Sequence, residues 1–321
     1  MNYKEYISNL DNVKENLEKY GIAVIPNILS NEECKKNANL AWKEFNVLTS
    51  KMNIPLDKKN PNSYKTILDF FPLHSMLLQH NSIGHMQFVW NVRQTINVAK
   101  VFAKIWDCSI EDLLSSFDGV SFHMPPEITN RGWYRGNDWL HTDQSSTKFN
   151  LETIQGFVSL YDINEYDASL CVHEGSHKYH KDFFDTFKIE CKKDWFKLHN
   201  DEQYNYFVNK NCLKTCIKCK KGSLVLWDSR VFHQGIEPQK ERTNPNFRLI
   251  VYVCMTNRNR SKEKDLKKKQ KAFNELRMTT HCPHRPLLFS KNPRTYGKDL
   301  PDIVEIKKPI LTELGKKLAG F

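Results

Sequence analysis

The stretch Gly222-Ser223-Leu224-Val225-Leu226-Trp227-Asp228-Ser229-Arg230-Val231-Phe232-His233-Gln234-Gly235 decides how the rest of the chain is read. A glycine turn opens it, a short apolar run follows, a polar break interrupts, and a histidine comes next. Apolar runs this short, bounded by turn residues, read as strands covered on both faces. Working outward, similar runs follow one another from Phe117: Gly119–His123, Trp139–Thr142, Thr153–Leu160, Ser169–His173, Thr215–Cys219, Ser223–Trp227 and Arg248–Met255. A polar segment at about 176–211 interrupts them and reads as a helical insertion.

The flanks differ in character. Residues 3–19 carry Tyr6, Leu10, Val13 and Leu17 on one helical stripe, and Gly21 ends it before the apolar Ile22–Ile25. Ser30-Asn31-Glu32-Glu33 is a capping-box pattern opening a second helix with Cys34, Ala38, Ala41, Phe45 and Leu48 inward. A third helix is expected over roughly 86–106. The layout is mainly β with helical additions: a helical layer over 1–116, a β core over 117–257 and a basic extension over 258–321 with one helix, Lys262–Arg277.

Composition narrows the class. The 321 residues are 40% hydrophobic, with 7 Trp, 19 Phe and 12 Tyr, enough for a sizeable core and against disorder. Mean hydropathy is -0.61, and no apolar run approaches a membrane span. The opening residues lack a signal-peptide core, so a cytoplasmic protein is expected. Nine Cys at irregular spacing fit reduced, packed thiols better than a disulfide scaffold. Of the net charge of +11, the span 258–321 supplies +10, from 17 Lys/Arg against 7 Asp/Glu. A basic tail suits nucleic acid or an acidic partner, although solubilising surface is the commoner explanation.

His-x-Asp occurs at His141-Thr142-Asp143, His180-Lys181-Asp182 and His199-Asn200-Asp201. In an extended segment residues i and i+2 face the same side, so both side chains can grip one ion. Only His141 and Asp143 sit in a strand-like context, and the other two pairs read as solvated surface. Ser169-Leu170-Cys171-Val172-His173-Glu174-Gly175-Ser176-His177 is a strand closing in Gly-Ser-His, and Asn246-Phe247-Arg248 opens the apolar run Leu249–Cys254. Arg248 thus puts a fixed cation at the mouth of a buried strand.

Together these motifs, in this order, resemble the phytanoyl-CoA dioxygenase family of iron(II)- and 2-oxoglutarate-dependent oxygenases. Tyr20–Cys34 is also similar to that family's opening, and the resemblance covers roughly 10–48 and 117–256. It implies a double-stranded β-helix, a jelly-roll of the cupin kind, with a metal at its open end. His141, Asp143 and His233 match the ligand positions; two His and one carboxylate on one face of an octahedral ion leave positions for the cosubstrate and O2. Arg248 matches the residue that pairs with the far carboxylate of 2-oxoglutarate, a role suited to a guanidinium fork. Arg242 is the rival, but it sits in a polar loop, so Arg248 is preferred. Many relatives place a small hydroxyl residue two positions after the distal His, where this chain has Gly235. Gln155 is a candidate donor there, with plain strand packing as the alternative.

The expected activity is a 2-oxoglutarate-dependent dioxygenase using Fe(II) and O2, hydroxylating a C–H bond of a small-molecule or lipid-like substrate. Asp143 argues for hydroxylation, because halogenating relatives carry a small residue at that position. The alternatives are an oxygenase acting on nucleic acid or protein through the basic tail, and a catalytically silent scaffold. No obligate protein partner is evident. Cys212-x3-Cys216-x2-Cys219 has iron–sulfur spacing but runs straight into a strand, and His281-Cys282-Pro283-His284 supplies too few ligands for a zinc site, so it reads as surface. His177 is expected to order its loop, and Trp139 either lines the pocket or packs the core.

Overall fold

The computed structural model describes residues 3–321. Twelve strands run in chain order: β1 (Ile22–Ile25), β2 (Leu77–Leu78), β3 (Leu113–Ser115), β4 (Val120–His123), β5 (His141–Thr142), β6 (Ile154–Ser159), β7 (Ser169–His173), β8 (Phe196–Lys197), β9 (Lys214–Cys216), β10 (Leu224–Asp228), β11 (His233–Ile236) and β12 (Arg248–Asn257). They form two antiparallel sheets, the larger ordered β1-β10-β6-β12-β4-β2 with β3 beside β12, the smaller β8-β5-β11-β7-β9. This is the jelly-roll arrangement.

Both faces of the larger sheet are covered, and the strands sort their side chains with period two. Val225 and Trp227 of β10, Phe157 of β6 and Ile250 of β12 face the smaller sheet and pack with its Leu170 and Val172. Leu224, Leu226, Val158, Val251 and Val253 face the other way, onto Phe45, Val98 and Phe102 of the helical layer. Two buried faces explain why the strand sequences read as apolar runs rather than alternating ones.

The helix Asn31–Leu48 begins with the capping box: Ser30 Oγ accepts from Glu33 N at 3.2 Å, and Glu33 Oε2 accepts from Ser30 N at 2.7 Å. Helix one is shorter than its periodicity predicts, Val13–Tyr20, preceded by a 3₁₀ turn Tyr3–Tyr6. Between them the Asn9 side chain accepts from the backbone N–H groups of Asp11 and Asn12, a local turn that competes with helix. The segment expected as one helix over 86–106 is two, Gln87–Arg93 and Ile96–Trp106. Gln94 at the break and Gln87 at the start of the first helix hold a distant segment: Gln87 Oε1 accepts from Ile310 N at 2.7 Å and Gln94 Oε1 from Thr312 N at 2.9 Å.

The basic C-terminal span is not a loose appendage. Its helix Glu263–Asn274 buries Lys269, whose ammonium donates to Ser115 O and lies 3.8 Å over the Phe117 ring. Phe273 packs edge-on against Trp90, and a last helix, Glu313–Ala319, buries Leu318 and Ala319. Among the described residues no helix is long and apolar enough to cross a membrane.

Candidate metal centre

The two short strands at the open end of the smaller sheet position the site. His141 of β5 is directly opposite His233 of β11. The segment after β5 is tied to the end of β10: Thr142 Oγ1 donates to Ser229 O at 3.0 Å, and Asp143 N donates to the same carbonyl at 3.0 Å. Asp143 is thereby turned toward both imidazoles. Its Oδ1 lies 3.6 Å from His141 Nε2 and its Oδ2 lies 3.4 Å from His233 Nε2. One ligand atom from each of the three side chains falls within a 4.8 Å cluster.

The protonation pattern suits a cation. His233 Nδ1 is 2.9 Å from Val231 O, and a carbonyl only accepts, so Nδ1 carries the proton and the Nε2 lone pair faces the cluster. Burial, then the neighbouring His233, hold the His141 imidazole below its ordinary range and therefore neutral. Burial alone would raise the Asp143 carboxyl, but the neighbouring His141, and after it His281, outweigh it and hold it well below the usual range. Two imidazoles and a carboxylate converging within this cluster are a donor set fit for a divalent metal with open positions.

Gln155 points inward from β6 and donates from Nε2 to Asp143 Oδ2 at 2.9 Å. Its observed partner is therefore the carboxylate. Arg248, the first residue of β12, is buried in the same cavity, a space of about 350 Å³. Its Nε donates to Ser121 Oγ at 3.1 Å and one terminal nitrogen to Ala168 O at 2.8 Å, while its plane lies 5.3 Å from the Phe157 ring. No carboxylate pairs with it among the described residues. Tyr252, four residues on and on the same face of β12, shares the cavity and adds a phenol.

Arg242 is elsewhere. It is buried, not in an exposed turn, with ion pairs to Glu127 and to Asp167 Oδ1, the latter at 3.2 Å. Its reach is spent on holding the Asn246 loop, whose carbonyl also accepts from it at 3.3 Å. The two remaining His-x-Asp pairs do not meet an ion site. His199 is exposed, as expected, but His180 is buried and bonds Gln144 O at 3.1 Å. His177 of Gly-Ser-His bonds Glu18 O at 2.9 Å and packs on Gly21, where a Cβ would come within 2.6 Å of its Nδ1. It orders the loop.

Trp139 lines the cavity. Its ring stacks on His141 at 4.7 Å and 8°, and His74 stacks on it at 3.5 Å and 1°. Its indole N–H donates to Gly235 O at 2.9 Å. Several cavity residues carry no legible sequence signal. Asp194 and Trp195 come from the insertion; Thr280, His281 and Phe289 come from the basic extension. The His281–His284 cluster is thus not plain surface: His281 faces the cavity, and Cys282 and His284 are buried.

The sequence profile of the phytanoyl-CoA dioxygenase family matches residues 17–238. A protein of Aspergillus versicolor, Ava biosynthesis cluster protein O, is 29% identical over 211 residues, which is 63% of this chain and 65% of that one. The chain therefore matches just under two thirds of that relative's length. A Dictyostelium discoideum protein named for phytanoyl-CoA dioxygenase is 24% identical over 283 residues, covering 76% of this chain and 75% of its own. Among solved structures, a hypothetical protein of Escherichia coli superposes with TM-score 0.59 at 13% identity, over 98% of this chain and 84% of that one. That likeness concerns the fold.

Proposed function

The chain belongs to the phytanoyl-CoA dioxygenase family of iron(II)- and 2-oxoglutarate-dependent oxygenases, and we propose that it hydroxylates a C–H bond of a small-molecule or lipid-like substrate. The observation that carries this reading is the convergence of His141, Asp143 and His233 within 4.8 Å, in one cavity with a buried arginine that no carboxylate among the described residues pairs with. In this reading the three side chains hold iron(II), and Arg248 receives the far carboxylate of 2-oxoglutarate. When bound, the metal and cosubstrate supply the activation of O2, with 2-oxoglutarate decarboxylated to succinate.

The chain's own residues supply geometry and exclusion of water. Gln155 holds the Asp143 carboxylate in the orientation that both imidazoles need. Val231 O fixes the His233 tautomer. Trp139 stacks on His141 and is itself covered by His74, which limits solvent access to the ligand ring. Asp143 keeps a carboxylate where halogenating relatives have a small residue, which favours hydroxylation.

A small substrate matches a cavity of about 350 Å³ better than a polymer does. The basic tail, the motive for a nucleic-acid or protein substrate, spends part of its charge on packing: Lys269 is buried, and Arg260 and Arg285 meet Glu152. Nine free cysteines fit a reducing compartment, and we place the protein in the cytoplasm. The test is metabolite profiling by mass spectrometry with the iron-loaded protein, 2-oxoglutarate and air. A metabolite gaining one oxygen, in step with succinate, is expected. Succinate formation that no metabolite, polyanion or protein extract stimulates would remove the hydroxylase reading.

A further inference from the structure

The outer face of the smaller sheet carries chemistry that the oxygenase reaction does not use. Cys171 on β7 and Cys216 on β9 are paired in register, and their sulfurs lie 3.0 Å apart as free thiols. The backbone bonds of this ladder fall elsewhere: Ile217 N donates to Leu170 O at 2.8 Å and Glu174 N to Leu213 O at 2.9 Å. Bonded and non-bonded pairs alternate along an antiparallel ladder, so Cys171 and Cys216 form a non-bonded pair. Cα atoms approach to about 4.5 Å at such pairs, inside the range of about 4.4–6.8 Å that a disulfide bridges. No backbone movement is required to join them.

The two thiols are not equivalent. Cys171 is fully buried, while Cys216 is partly open to solvent. The Cys171 S–H beside it, and after that the Lys214 ammonium, hold the Cys216 thiol below its ordinary range against the opposing effect of burial. The hydrogen bond to Cys216, with burial, pushes Cys171 the other way. Being the thiol that solvent and a peroxide can reach, Cys216 is the attacking sulfur and buried Cys171 the resolving one.

We propose that Cys171 and Cys216 are a reversible dithiol–disulfide pair, oxidised by a hydroperoxide, that staples the base of the insertion supplying Asp194 and Trp195 to the cavity. The Cys216 thiolate attacks a peroxide oxygen, the O–O bond breaks, and sulfenic acid and hydroxide form. The Cys171 thiolate then attacks the sulfenic sulfur, the S–S bond forms, and a second hydroxide leaves. With the two thiol protons the balance is two thiols and one hydrogen peroxide giving one disulfide and two waters. The ring so closed contains the whole segment between the two cysteines, including β8, which pairs with His141 and Thr142. Closing it restricts how far that segment can open.

The test needs no iron, cosubstrate or substrate, so it stands apart from the oxygenase reading. Full-length protein is treated with stoichiometric hydrogen peroxide, alkylated and mapped without reduction. The expected result is a loss of two hydrogens in intact mass and a single linked peptide joining Cys171 to Cys216, reversed by dithiothreitol. The oxidised form should also unfold at a higher temperature, a shift that dithiothreitol cancels. Cys216→Ser should show neither effect, and the wild-type map decides alone if that variant fails to fold. Cys216 recovered as alkylated thiol or sulfinate with no link to Cys171 would overturn the proposal. A link without any thermal shift would overturn the stapling role.

Discussion

His141 and His233 face each other as directly opposed residues on adjacent antiparallel strands, with ring centroids 4.4 Å apart. Residues opposite each other in a ladder project to the same side, so the register alone brings two imidazoles distant in sequence to one point. Asp143, two residues beyond His141, completes the group because the Ser229 carbonyl turns the chain there. The consequences of this arrangement can be tested one residue at a time.

Replacing Asp143 with Ala removes the anionic member of the trio and leaves only the two imidazoles. Binding of Mn(II) or Fe(II) should fall at least tenfold, and conversion of 2-oxoglutarate to succinate should stop. Calorimetric titration with Mn(II), together with a succinate assay, measures both. Undiminished turnover would take this carboxylate out of the site.

Arg248 and Arg242 should separate cleanly. Arg248→Lys keeps a charge but loses the fork, so 2-oxoglutarate affinity should drop by about 1–3 kcal/mol with metal binding intact. Titrating 2-oxoglutarate into anaerobic iron-loaded protein, followed by the metal-to-ligand absorption band, reads this directly. Arg242→Ala should leave cosubstrate binding unchanged yet destabilise the fold by about 3 kcal/mol, because Asp167 stays buried without its partner. Denaturant unfolding of that variant supplies the second half.

Gln155→Ala should weaken the metal without removing a ligand. The amide holds Asp143 Oδ2 at 2.9 Å, and loss of such an orienting bond typically costs about 10–100-fold in metal affinity. Competition between the variant and a chromogenic chelator for Mn(II) gives the number. An unchanged affinity would leave Gln155 with strand packing alone.

Acid should destabilise the fold well before the carboxylates protonate. Burial pushes His85, His123 and His284 down to about 3 and His180 to about 4. Below the unfolded value of about 6.5 the unfolded chain takes up protons that these buried rings refuse. Stability is therefore complete above that pH and lost as pH falls toward the folded values. Each ring contributes up to about 1.4 kcal/mol per pH unit across its window. Urea unfolding at pH 7, 6 and 5 should show the decline, and a flat profile would mean these rings become charged in place.

The sequence by itself determined the strand succession from Phe117, the capping box at Ser30, and the candidate set His141, Asp143, His233 and Arg248. The strands, the cap and the His141–Asp143 pair are local properties: short apolar runs between turn residues, a cap within one turn, or two side chains on one face of an extended segment; His233 and Arg248 joined the set through the order of motifs shared with the family. Tertiary structure decided what depends on contacts distant in sequence. It separated Arg248 from Arg242 by giving one the cavity and the other Glu127 and Asp167. It gave Gln155 a carboxylate for a partner, and it split the helix over 86–106 where the chain near Ile310 docks. It also carried His281 and Phe289 from a tail that reads as solvated charge to the cavity wall. No periodicity encodes such a return, because burial of Lys269 against Ser115 and of Phe273 against Trp90 and Phe117 fixes it, and that free energy belongs to the assembled core.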